Sequence, residues 1–313
     1  ENNVTVYKNI YGFLYDDALR GIIIFSFNKS ITFFKHKEVI TSTGDIMKKS
    51  IIFVLVALFV LSCAFATGSS ESSSNVIKVG ATPEPHAAML NLVKEDLAAQ
   101  GYTLEVIEFT DYVTPNEALE SGELDANFFQ HLPYLNSFNT ERGFHLANAG
   151  GIHIEPLALY SKKVSSLSEL KNGATIAIPN DPTNEGRALL LLQSAGLITL
   201  KENAGLEATP ADIATNSKNL KFQEIEAASL PRVLADVDGA VINGNYAIPA
   251  GLIATRDGLF VEGADSPYVN VIAVKAGNEE KAGIKALVKA LQSDKIADYV
   301  AKTYPNGEVV LVK

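Results

Sequence analysis

From Val76 onward, short runs rich in β-branched residues alternate with stretches whose apolar positions recur every three or four residues. VIKVGA, Val76 to Ala81, has the make-up of a buried strand that runs into glycine. Between His86 and Gln100, the residues Met89, Leu92, Val93 and Leu97 share a helical face, and Gly101 supplies the stop. LEVIEF, closing at Phe109, reads as a second strand. Thr114-Pro115-Asn116-Glu117 opens a helix, with proline in the first turn and the S/T-x-x-E spacing of a capping box. A short strand is expected over Asp125 to Phe129 and a helix over Leu132 to Arg142.

The run from His145 to Ser161 is long, extended and broken by glycine, as expected of a segment crossing from one lobe to another. A fresh series follows: ATIAIPN as strand, NEGRALLLLQSAG as helix, LKFQEIE as strand, SLPRVLAD as helix and GAVINGNYA as strand. YVNVIAVKAG then returns as a strand ahead of helices at Glu279 to Gln292 and Asp294 to Lys302. Such alternation predicts an α/β fold with mainly parallel sheets covered by helices. One series nested in another predicts two lobes joined by two crossover strands, with a ligand cleft between them. The expected division is residues 76–160 plus 267–313 for the first lobe and 161–266 for the second.

Ahead of this body the pattern changes. Lys48 and Lys49 precede an apolar run from Ile51 to Leu61, and small residues with Cys63 follow. That order is the plan of an export signal over 47–62, and the run is shorter than the ~20 residues a spanning helix needs. Two processing sites compete. Cys63 ends the apolar core, as in a lipobox; Ala64-Phe65-Ala66 fits ordinary signal cleavage. Residues 63–75 then form a lipidated cysteine and a serine-rich tether. Met47 sits where a signal should start, so residues 1–46 are expected to be a leader from upstream of the natural start.

Composition narrows the function. Acidic residues outnumber basic ones, 36 to 26, which argues against a nucleic-acid partner. A single cysteine excludes an intrachain disulfide and a cysteine-based zinc site. His86, His145 and His153 show no ligand spacing, so no metal is expected, and no phosphate-cradling, nucleophile-elbow or H-E-x-x-H motif occurs. No cofactor and no enzyme chemistry are expected.

The unusual side chains gather at strand ends. Phe109 and Tyr112 follow the second strand, His131 and Tyr134 the third, Asn184 and Arg187 the first strand of the second lobe, and Asn245 another. Arg187 lies in the first turn of a helix, where a guanidinium can hold a carboxylate bidentately; a solvated arginine or a salt bridge with Glu185 is the alternative. The amide oxygens of Asn184 and Asn245 can accept from an ammonium, or serve only a turn. Phe109, Tyr112, His131 and Tyr134 offer an aromatic wall for an apolar tail, or belong to the core.

Four stretches in order, FTDYVTPNEAL, DANFFQHLPYL, PNDPTNEGRAL and INGNYAIPAGL, resemble the methionine-binding lipoproteins of the NlpA family. The resemblance runs from about Val76 to the C-terminus and takes in the signal. It implies a type II periplasmic-binding fold and an extracytoplasmic binding lipoprotein that delivers L-methionine or D-methionine to an ABC transporter permease. It further implies that Arg187 grips the ligand carboxylate, Asn245 the head group with Asn184 as helper, and that Tyr112, His131, Tyr134 and Phe109 enclose the side chain. The expected protein is a monomer, anchored by lipid at Cys63 to a bacterial cell membrane and facing the periplasm or exterior. A surface lipoprotein acting in adhesion, or a binder of another small amino acid or dipeptide, is the alternative.

Overall fold

The computed structural model describes residues 75–263 and 266–312, so the leader, the export signal and Cys63 lie outside the described residues. The strands are β1 (Val76–Ala81), β2 (Thr103–Glu108), β3 (Ala126–His131), β4 (Leu146–Ile154), β5 (Ala158–Tyr160), β6 (Thr175–Pro179), β7 (Thr199–Leu200), β8 (Ile213–Thr215), β9 (Lys221–Ile225), β10 (Gly239–Ile242), β11 (Gly258–Val261), β12 (Asn270–Lys275) and β13 (Val310–Leu311). The α-helices are α1 (Ala88–Leu92), α2 (Lys94–Ala98), α3 (Thr114–Ser121), α4 (Leu132–Arg142), α5 (Pro182–Ser194), α6 (Leu230–Val233), α7 (Gly244–Ala247), α8 (Ala254–Asp257), α9 (Ala282–Leu291) and α10 (Asp294–Thr303). Two large sheets result, ordered β13-β4-β12-β3-β1-β2 and β11-β5-β10-β6-β9. Two α/β lobes joined by two connections match the expected class.

The sheets are mixed rather than mainly parallel. β2, β1 and β3 run parallel, as do β9, β6 and β10. β12 is antiparallel to both β3 and β4, and β5 to both β10 and β11. The reason is the crossing itself. β4 leaves the first lobe beside β12, which re-enters it, and β5 and β11 repeat that antiparallel pair in the second lobe. β5 therefore lies in the second sheet, and the first connection falls at residues 155–157, before Tyr160 rather than after it.

Packing follows the apolar pattern. Met89 and Leu90 of α1, Leu97 of α2 and Leu287 of α9 press on Val79 and Phe128, all fully buried. Each such side chain contributes about 1.5–3 kcal/mol of burial before chain entropy is subtracted. Gly150 of β4 has a packing role: a Cβ there would lie 2.6 Å from Val288 Cγ1, so its absence lets α9 settle on the strand. In the second lobe Ile176 and Ile178 of β6 and Val241 of β10 meet Leu189 and Leu192 of α5.

Candidate functional site

The helix starts beside the cleft are capped by site residues themselves. Asp181 caps α5 by accepting the Asn184 backbone N–H at 3.0 Å, with Pro182 in the first turn. His131 caps α4, its Nδ1 accepting the Tyr134 backbone N–H at 3.1 Å. That bond leaves the ring proton on Nε2, which donates to Asn184 Oδ1 at 3.1 Å. Burial, reinforced by the Arg187 charge, lowers the His131 pKa to about 3 and keeps the ring neutral. The α3 start departs from the expected box: the Asp111 carboxylate accepts the Val113 and Thr114 N–H groups, each at 2.7 Å, in place of a Thr114 cap.

Between the lobes lies a cavity lined by polar and aromatic side chains from both of them. Of the expected residues, Arg187, Asn184, Asn245, Tyr112, His131 and Tyr134 line it. Phe109 does not. Its ring packs with Leu119 and Leu124 in a cluster of the first lobe, because β2 carries it toward Gly80. Phe129 takes its place, its ring centroid 5.9 Å from Tyr112 and 6.1 Å from Tyr134.

The polar half is organised by amide chemistry. Asn184 donates to the Asp181 carboxylate at 2.8 and 3.0 Å, which orients its oxygen toward His131 and Asn243. That oxygen accepts from both, so Asn184 positions its neighbours rather than taking an ammonium. The free groups lie one step away. Asn243 donates to Asn184 at 2.7 Å and its Oδ1 is buried without a partner among the described residues. Asn245 accepts the Tyr112 hydroxyl at 2.5 Å, and its Nδ2 is likewise buried and unpaired. One acceptor and one donor are thus left, and an unmade hydrogen bond on such a buried group costs about 1–3 kcal/mol. Position alone could have flagged Asn243, the residue immediately after β10.

Arg187 is buried, and its salt-bridge partner is Glu262 rather than Glu185. Among the lining residues it is the single arginine or lysine, and Glu155 the single acid. Glu155 sits in the first connection between the lobes, and its only trace in the sequence is a charge inside the apolar run IHIEPLALY. Its carboxylate meets His153 Nε2 at 2.9 Å and His86 Nε2 at 3.3 Å, so the fold pairs two histidines whose spacing showed no relationship. Burial lowers their pKa values to about 3 and about 4 and raises that of Glu155, against the nearby His86 and Arg187 charges. His86 Nδ1 lies 2.8 Å from Thr82 Oγ1. His153 Nδ1 has no partner among the described residues, so it lacks the second acceptor that orients a metal-bound imidazole. Within the cluster His153 Nε2 donates to Glu155, while His86 Nε2 is shared with Asn270 Oδ1 at 3.1 Å.

Two α/β lobes on paired connections, closing over one cation, one anion and an aromatic wall, define a substrate-binding protein of the periplasmic type. A sequence profile of the NlpA lipoprotein family matches residues 77–312, and the chain belongs to that family. It is 44% identical to membrane lipoprotein TpN32 of Treponema pallidum over 261 residues, covering 83% of this chain and 97% of that one. Its identity to the D-methionine-binding lipoprotein MetQ of Escherichia coli K12 is 45% over 247 residues, 77% of this chain and 90% of that protein. A nutrient binding protein from Burkholderia cenocepacia, solved bound to methionine, superposes with a TM-score of 0.74 at 48% identity, covering 76% of this chain and 100% of that one.

Proposed function

We propose that this protein captures methionine between its lobes and delivers it to an ABC transporter permease. The observation that carries the reading is the cavity's composition: one arginine, Arg187, and one acid, Glu155, share it with the aromatic rings of Tyr112, Phe129 and Tyr134. A zwitterion with an apolar tail satisfies both kinds of group. Its carboxylate meets Arg187 and Asn245 Nδ2, and its ammonium meets Asn243 Oδ1 and the Glu155 carboxylate. A thioether packs well against aromatic rings, and relatives named for methionine support that side chain.

Binding rather than catalysis fits this chemistry. The hydroxyls of the cavity belong to Tyr112 and Tyr134, both pushed further from ionisation by burial, and they donate to Asn245 Oδ1 and to the Tyr112 carbonyl rather than to a base. Among the described residues no helix is long and apolar enough to cross a membrane. We place the anchor at Cys63, lipidated and tethered to a bacterial membrane with the body facing the periplasm or exterior.

Mass spectrometry of small molecules released on denaturing the protein, followed by calorimetric titration with L- and D-methionine, tests the reading. Methionine in the released fraction, or saturable uptake at one site per chain, is the expected result. Uptake of a different amino acid with none for methionine would overturn it.

A further inference from the structure

Arg187 is held from behind. Its Nε donates to Glu262 Oε1 at 3.0 Å, and Nη2 donates both to Glu262 Oε2 and to the backbone carbonyl of Glu155, the latter at 2.9 Å. The guanidinium also lies 4.3 Å from the centroid of the Tyr268 ring. Three N–H groups are committed in this way. Those on Nη1 have no hydrogen-bond partner among the described residues.

The two acceptors sit on the two connections between the lobes. Glu155 follows β4, and Glu262 follows β11. There the strands stay joined: the Glu262 N–H donates to the Leu157 carbonyl at 2.8 Å, and the Leu157 N–H donates to Glu262 Oε2 at 3.2 Å. One carboxylate therefore grips the arginine and stitches the connections together. A long, free arginine would have to give up rotamer freedom on meeting a ligand; one fixed by fork-to-fork pairing has already done so.

We propose that Glu262 is a positioning residue for ligand recognition: by holding Nε and Nη2 it aims Nη1 of Arg187 at a ligand carboxylate. The proposal rests on the reading that Arg187 receives such a carboxylate. It assigns Glu262 no ligand contact of its own.

The test is the ratio of affinities for methionine and methioninamide, which lacks the carboxylate, in the wild type and in Glu262→Gln. Glutamine keeps the shape but turns one accepting oxygen into a donor facing Arg187. The wild type should prefer methionine, and E262Q should shrink that preference by about tenfold or more, the scale of one hydrogen bond to a charged group. A merely structural role would weaken both ligands alike, so an unchanged ratio in E262Q beside a discriminating wild type overturns this proposal alone. A wild type that takes neither ligand overturns the functional reading and this proposal together, and one that takes both equally removes the Arg187–carboxylate contact and overturns this proposal while methionine capture stands. Should E262Q unfold, Glu262→Asp, which withdraws the carboxylate by one methylene, is read by the same ratio and with the same expectation.

Discussion

The Tyr112 hydroxyl, carried by the first lobe after β2, donates across the cleft to Asn245 Oδ1 of the second lobe at 2.5 Å. Two further bonds span the same gap. His131 Nε2 donates to Asn184 Oδ1 at 3.1 Å, and the Tyr246 hydroxyl to the Thr110 carbonyl at 3.0 Å. Residues that line the cavity therefore also hold the two lobes together.

Removing that hydroxyl should weaken methionine binding without unfolding the protein. Tyr112→Phe keeps the ring that faces Phe129 but leaves Asn245 Oδ1 buried and unpaired. A cost of about 1–3 kcal/mol corresponds to a fall of roughly 5- to 150-fold in affinity, measured by calorimetric titration. An unchanged dissociation constant would mean that closure does not depend on this bond.

Phe109 should behave in the opposite way. It packs on Leu119 and Leu124, away from the cavity lining, so Phe109→Ala removes first-lobe core contacts and little else. A loss of about 1–3 kcal/mol in denaturant unfolding, smaller than the full cost of a completely buried phenylalanine, should accompany near-normal affinity. A large loss of affinity in a folded variant would return Phe109 to the binding wall.

Glu185 sets a pH dependence that one substitution isolates. Burial, with the Glu224 and Asp181 charges, raises its pKa to about 7, and its Oε1 has no partner among the described residues. The folded state then holds this proton above the usual carboxylate range near pH 4.5, so the group's stabilising share is present in acid and lost as pH rises to about 7. Glu185→Gln should melt higher than the wild type at pH 8, by a margin that shrinks toward pH 5. A margin independent of pH would place the effect elsewhere.

Much of the framework was legible because its causes are local. The strand runs and the helix that carries Arg187 follow from neighbours within a few residues, where periodicity and capping act; that helix begins at Pro182 rather than at the expected Asn184, which puts Arg187 in its second turn. The mixed sheet order was not, because antiparallel pairing of β4 with β12 depends on where the chain re-enters the first lobe. Phe109 and Phe129 look alike in sequence, both being aromatics near strand ends; which of them faces the cavity depended on the packing around Gly80.

By itself, then, the sequence determined two α/β lobes, the loops that face each other and the cation among them. Tertiary structure alone decided the pairings: His86 with Asn270, 184 residues apart, and Arg187 with Glu262, 75 residues apart. It also turned the Asn184 oxygen inward and left Asn243 and Asn245 with free groups in the cavity. The physical reason is that a side chain's type and helical face are set by its own segment. Its hydrogen-bond partner is chosen only when closure of the sheets brings distant segments within about 3 Å.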